Sequence, residues 1–174
     1  MTPIDLYTYQ TPNGHKASIM LEETGLPYAV NVIDIEAGEQ HRPSFLALNP
    51  NNKIPVIVDH DHDRTLFESG AILLYLAERS GALQPNGPLA LSKTLQWSFF
   101  QAAHVGPMIG QLWHFKVFAR EKLAYPIERY ERETAASCVS STASWRCGPI
   151  WSKPATASPT SWSGPGSTPC LSSA

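Results

Sequence analysis

The stretch that most limits how this chain can fold is Asn52-Lys53-Ile54-Pro55-Val56-Ile57-Val58-Asp59, followed closely by Leu66-Phe67-Glu68-Ser69-Gly70-Ala71-Ile72. The first piece reads as a short apolar strand entered through a proline, and the second as a strand end running directly into a helix that begins at Ser69. Proline has no backbone N–H to give to a ladder, so it belongs at a strand mouth or in a tight turn, where a cis bond is allowed. The backbone of Ile54 is then left unpaired on one side, able to take up a peptide-like ligand as an added strand. Glu68-Ser69 supplies the other half, because the free N–H groups and positive dipole end of a helix N-terminus attract a carboxylate. Together the two pieces read as a cradle for a small anionic peptide.

Upstream, Ile4-Asp5-Leu6-Tyr7-Thr8-Tyr9 is rich in β-formers and predicts a strand. Thr11-Pro12-Asn13-Gly14 predicts a turn. A helix follows over His15 to Thr24, with Ala17, Met20 and Leu21 on one face, Glu22-Glu23 on the other and Gly25 at its end. Tyr28 to Asp34 alternates into a second strand, so the opening is a βαβ unit, expected to be parallel and right-handed. Residues 36–52 are polar and proline-marked, with a short helical piece around Ser44 to Leu48. Val56 to Val58 gives a third strand, His60-Asp61-His62-Asp63 an acidic turn, Thr65 to Phe67 a fourth strand, and Ser69 to Arg79 an amphipathic helix. This β-α-β-α-β-β-α order is that of an α/β thioredoxin-like domain with a mixed four-stranded sheet, placed at residues 1–81.

The Gly/Pro density of residues 82–88 marks a linker. Beyond it, Leu89 to Phe118 is helical in pattern and aromatic, with Gly106-Pro107 as the kink or break, and a second helix runs from about Pro126 through Glu133. Residues 89–136 therefore read as a partial all-α domain. From Ala135 onward there is no Asp or Glu, serine dominates, and no period of 2 or 3.6 survives. Residues 137–174 accordingly read as a low-complexity, disordered tail. The loss of charge as Trp and Cys rise has the look of a reading-frame change in the gene, which resequencing the junction would test.

The pair Asn52-Lys53-Ile54-Pro55 and Glu68-Ser69-Gly70-Ala71-Ile72 resembles the glutathione site of the cytosolic glutathione transferases. The early Thr11-Pro12-Asn13-Gly14-His15-Lys16 is similar to the bacterial nu-type branch, whose members reduce disulfides with glutathione. Three motifs in this order and spacing carry the resemblance, which spans about residues 3–136. It implies glutathione as co-substrate and a Thr and an Asn, here Thr11 and Asn13, facing its sulfur. Glu68 would then meet the γ-glutamyl ammonium and Ser69 the carboxylate, Lys53 the glycyl carboxylate, and the backbone of Ile54 the cysteinyl unit, with Pro55 fixing the turn. Gln40 matches a further ligand-contacting position. The family also implies a homodimer, an apolar second-substrate pocket between domains, and later helices with a Ser/Thr-x-x-Asp helix-start box that this sequence lacks. The C-terminus therefore departs from the family as a truncated or frame-shifted one.

Glutathione attacks as a thiolate, and a free thiol with a pKa of about 8.5 is mostly protonated at neutral pH. Thr11 can donate a hydroxyl hydrogen bond and Asn13 an amide one, just where the first helix places its positive end. On spacing alone the same residues serve equally as a turn and helix start. Ser69 is equally a helix cap, Lys53 an ordinary surface lysine, Gln40 a loop residue, and Tyr7 and Tyr9 strand residues packed in the core. His60 and His62 suit a solvated turn better than a metal site, because no third ligand stands at suitable spacing. His104 and His114 do not share a helix face. The Trp97, Phe99, Phe100, Trp113, Phe115 and Phe118 cluster reads first as core and domain interface, and Arg129 and Arg132 as exposed charges within reach of a bound ligand.

All three cysteines, Cys138, Cys147 and Cys170, lie outside the motif region, so the thiol chemistry has to use a ligand's thiol. A net charge of −2 without basic runs gives no nucleic-acid surface. Apolar segments stop short of a membrane span, and the N-terminus lacks a secretory pattern, which implies the cytoplasm. The activity these readings imply is glutathione:disulfide oxidoreduction on a small disulfide, with no protein metal. The alternatives are glutathione conjugation to an electrophile, or a truncated, inactive glutathione-binding module.

Overall fold

A computed structural model of the chain describes residues 2–146. It divides into two compact units at Gly87–Pro88. The first unit runs β1 (Ile4–Thr8), α1 (Pro12–Thr24), β2 (Tyr28–Val32), a 3-10 turn at Glu39–His41, α2 (Pro43–Leu46), β3 (Val56–Asp59), β4 (Arg64–Phe67) and α3 (Ser69–Ser80). Its sheet has the order β2-β1-β3-β4, with β1 parallel to β2 and antiparallel to β3, and β3 antiparallel to β4. This is the mixed, thioredoxin-like sheet expected from the element order.

Period decides what is buried. Along β1, Ile4, Leu6 and Thr8 turn inward while Asp5 and Tyr7 are only half-buried, so Tyr7 is not a core residue. Tyr9 is also half-buried and lies just past the strand end. Ala17, Met20 and Leu21 of α1 and Ile72, Leu76 and Ala77 of α3 recur at helical spacing and close over Ile4, Leu6 and Ile57. Each large apolar side chain so buried contributes about 1.5–3 kcal/mol relative to exposure.

Two local features fix where α1 starts. Thr11 caps it, its Oγ1 accepting from the Gly14 N–H at 3.2 Å, and Pro12 follows in the first turn, where no N–H is needed. Gly14 is required at its place: a Cβ there would run into the Tyr9 carbonyl oxygen and the Thr8 hydroxyl. Gly25, at φ 66°, ends the helix in the left-handed conformation.

The acidic turn after β3 is a clamp. The Asp59 side chain is fully buried; it accepts from Tyr75 Oη at 2.5 Å and the Asp61 N–H at 3.1 Å, forms an ion pair with Arg79 Nε at 2.6 Å, and faces His62 Nδ1 at 3.1 Å. Burial alone would raise the Asp59 pKa, but these hydrogen bonds and the Arg79 charge outweigh it and hold the carboxyl below its usual value. Burial, reinforced by the Asp59 carboxylate, pushes the Tyr75 hydroxyl up to about 12. Arg79 also reaches Asp61 at 2.7 Å, and His60 Nε2 meets Asp5 at 2.9 Å. Both turn histidines thus face carboxylates that tie the hairpin to α3 and β1.

The second unit is helical: α4 (Gly87–Phe100), a π-helical turn at Gln101–Val105, α5 (Gly106–Trp113), a second π turn at His114–Phe118, and α6 (Ala124–Arg146). The interruption expected at Gly106-Pro107 takes the form of the π turn just before it. The Gly106 N–H donates to the Gln101 carbonyl, and the extra residue in that turn accommodates Pro107, which has no N–H to give.

α6 differs from the sequence reading at both ends. It starts two residues before Pro126 and continues ten residues past Ala136 into the stretch read as disordered. Within this helix Ser137 Oγ donates back to the Glu133 carbonyl at 2.8 Å and Ser140 Oγ to the Ala136 carbonyl at 3.0 Å, so both hydroxyls find an acceptor one turn back. The rest of the tail, with Cys147 and Cys170, lies outside the described residues. The aromatic cluster is not a core either. Phe99, Trp113 and Phe118 are 67%, 58% and 67% exposed. Trp97, Phe100 and Phe115 are half-buried and pair with local neighbours, Phe100 stacking on His104 and Phe115 on Tyr130.

Candidate functional site

In the first unit the N-terminal ends of α1 and α3 and the loop entering β3 line a common cleft of about 220 Å³. Asn13, Lys53, Ile54, Pro55, Glu68 and Ser69 all line it. Those residues come from three separate parts of the sequence, and the sheet order brings them together: β3 inserts beside β1, so the loop before β3 comes up next to the start of α1.

Each is held for a local reason. The Ile54–Pro55 bond is cis, and Pro55 is buried ahead of β3. Ile54 stands outside the ladder, and among the described residues no loop or turn hydrogen bond uses its backbone. Glu68 has φ 71° and ψ 112°, a left-handed conformation that costs a non-glycine residue about 1–3 kcal/mol and concentrates at ligand sites. It is Glu68, not Ser69, that occupies the N-cap position of α3, and its side chain makes no capping bond. Ser69 is the first helical residue, so its own N–H is among those a helix start leaves without an internal partner.

Asn13 sits in the first turn of α1, exposed to the cleft. Thr11 is just outside the lining, half-buried; its oxygen accepts from Gly14, which leaves its hydroxyl proton available. Gln40 does not line the cleft. It lies in the 3-10 turn, where Nε2 donates to the Ile35 carbonyl at 3.3 Å and the buried Oε1 meets no donor among the described residues.

Three residues at the site were passed over in the sequence. Asn49 and Asn51 line the cleft. Asn49 is 1% exposed; its Nδ2 donates to the Lys53 carbonyl at 2.7 Å and its Oδ1 accepts from the Asn51 N–H at 2.9 Å, so one buried amide shapes the loop that presents Lys53 and Ile54. The run Asn49-Pro50-Asn51-Asn52 signals such an Asx turn, and that signal was legible. Lys16 is the third, donating from Nζ to Asn13 Oδ1 at 2.9 Å. Burial lowers its pKa, and the Glu68 carboxylate acts in the opposite sense.

The arrangement offers two helix N-termini, a lysine and unpaired donors to an anion, and an unpaired extended backbone to a peptide. Residues 2–78 match the glutathione S-transferase N-terminal domain. The chain is 49% identical over 136 residues to the disulfide-bond oxidoreductase YfcG of Escherichia coli, covering 75% of this chain and 63% of that one. A glutathione transferase family member from Pseudomonas fluorescens, solved with two glutathione bound, is 45% identical with a TM-score of 0.75, over 80% of this chain and 64% of that one. The glutathione transferase URE2P6 of Phanerochaete chrysosporium, in complex with oxidized glutathione, is 37% identical with a TM-score of 0.75, over 82% of this chain and 69% of that one.

This chain belongs to the glutathione transferase family. It spans about two thirds of the length of these glutathione transferases and of YfcG. Among its described residues no group of His, Cys, Asp and Glu is placed to hold a metal ion, and no helix is long and apolar enough to cross a membrane.

Proposed function

We propose that this chain binds glutathione in the cleft and uses its thiolate to reduce small disulfides. The observation that carries the reading is that six residues assigned to a ligand from sequence, Asn13, Lys53, Ile54, Pro55, Glu68 and Ser69, line one cleft. The names of two similar proteins support it, the disulfide-bond oxidoreductases YfcG and YghU of Escherichia coli.

In this reading Glu68 takes the α-ammonium and Ser69 the α-carboxylate of the γ-glutamyl end. The Ile54 backbone pairs with the cysteinyl unit, and Lys53 meets the glycyl carboxylate. Thr11 Oγ1–H and Asn13 Nδ2–H donate to the sulfur and lower its pKa, aided by the α1 dipole. The bound thiolate attacks one sulfur of the disulfide; a new S–S bond forms and the other sulfur leaves as a thiolate. A second glutathione thiolate then attacks the glutathionyl sulfur of that mixed disulfide. The products are oxidised glutathione and two thiols, so two electrons pass and no protein cysteine takes part. The same reading makes the protein a cytoplasmic homodimer.

The test is turnover of a small alkyl disulfide with glutathione. Thr11→Ala and Asn13→Ala each remove a hydrogen bond to a charged acceptor, and each should lower kcat by about 10- to 100-fold. Turnover unchanged in both variants would overturn the sulfur-binding role. Glutathione conjugation to an electrophile that outpaces disulfide reduction would assign the site to transfer chemistry instead.

A further inference from the structure

Lys16 lies one helical turn beyond Asn13 and donates to the oxygen of its amide. An ammonium can only donate, so this bond settles which end of the amide is which. With Oδ1 committed to Lys16, Nδ2 faces the other way, and among the described residues nothing accepts from it, although Asn13 lines the cleft. A thiolate can only accept. The amide presents to the cleft the end that suits an anion.

We propose that Lys16 is a positioning residue for the thiolate: it locks Asn13 in the one amide orientation that aims Nδ2 at the sulfur, and it holds a positive charge behind that amide. This rests on the reading that glutathione's sulfur lies against Asn13. An unlocked amide samples both orientations, and in the flipped one a carbonyl oxygen opposes the thiolate. Lys16 is half-buried, while its bond to Asn13 is exposed. Burial disfavours its charge, and the charged group facing it from the β4–α3 junction is Glu68, whose carboxylate favours it. The first turn of α1 contributes no acidic residue to neutralise it. Lys16 is thus linked to two residues of the cleft lining, to Asn13 by a hydrogen bond and to Glu68 by charge alone.

The experiment reads the thiolate of bound glutathione by its ultraviolet absorbance across pH, alongside disulfide turnover and thermal protection by glutathione, on the full chain. Lys16→Met keeps the length of the side chain and loses donor and charge. It should raise the pH at which the bound thiol ionises by about one unit and lower neutral-pH turnover about tenfold. Glutathione should still protect it against unfolding. Lys16→Arg should restore both readouts, and in an Asn13→Ala background Lys16→Met should add little, because the two act through one another. Lys16→Gln, uncharged and polar, gives the same sign if methionine disturbs packing. A Lys16→Met protein that ionises the thiol and turns over like the parent overturns the inference and leaves the glutathione reading standing. A parent chain with neither thermal protection nor a bound-thiolate signal overturns that reading, and the inference with it.

Discussion

The two units of this chain bury their side chains differently. Among the described residues, the buried apolar side chains, from Ile4 to Ala77, belong to the first unit, whereas in the second the buried residue is Ser137. Charge follows the same division. Asp59 of the first unit is fully enclosed and held by four neighbours, while the Lys116–Glu131 pair of the second, 2.6 Å apart, is about half exposed on both sides. A sheet explains the contrast: each strand has partners on its edges and helices over its face, so chain segments distant in sequence are forced into contact. Helices joined through π turns meet mostly near neighbours, and their aromatic residues pair at the surface. An enclosed network is strong because it is dry, and an exposed pair contributes only about 0–1 kcal/mol.

The sharpest way to break the comparison is Leu6→Ala. Leu6 is fully buried between α1 and α3, and removing its side chain should destabilise the first unit by about 2–5 kcal/mol, read as a fall in its denaturation midpoint. A loss below about 1 kcal/mol would mean that the core is looser than its burial says.

Asn49→Ala should have the next largest effect, about 1–3 kcal/mol, because it leaves the Lys53 carbonyl and the Asn51 N–H without their partner. It also tests whether the cleft depends on the buried polar scaffold: glutathione protection against unfolding should weaken more than the loss of stability alone accounts for. Protection equal to the parent's would show that the loop keeps its shape without Asn49.

The smallest effect belongs to the second unit. Trp113→Ala and Phe99→Ala, at side chains more than half exposed, should change stability by no more than about 0.5 kcal/mol. Their unfolding curves should overlay the parent's. A loss of several kcal/mol in either would place those rings in a packed environment and remove the contrast.

Much of the first unit was legible in the sequence because its signals are short in range. Alternation over Ile4 to Thr8, helical spacing over Ala17, Met20 and Leu21, and a proline ahead of Val56 each need only a few neighbours. The second unit was harder. Its aromatic residues carry the composition of a core, and composition does not say whether a partner covers them. Its serines carry the composition of a loop, yet a serine hydroxyl can also bond the carbonyl four residues back inside a helix, as at Ser137 and Ser140. At the site, motif residues stood out by type and spacing, whereas Asn49 looked like one asparagine in a polar run and Lys16, though inside a motif, carried no role of its own.

Sequence alone determined the parts: where strands and helices start, which helix ends face a ligand, and that no cysteine stands among the motifs. Tertiary structure decided their meeting. The insertion of β3 between β1 and β4 sets Asn13, Lys53 and Glu68 around one cleft, buries the Asn49 amide beneath the loop, and lets Lys16 bond Asn13 while feeling the Glu68 charge. The physical reason is range. Backbone preference and hydrophobic period act over a few residues, while a buried hydrogen bond or a shared electrostatic field exists only once strand order has closed the distance.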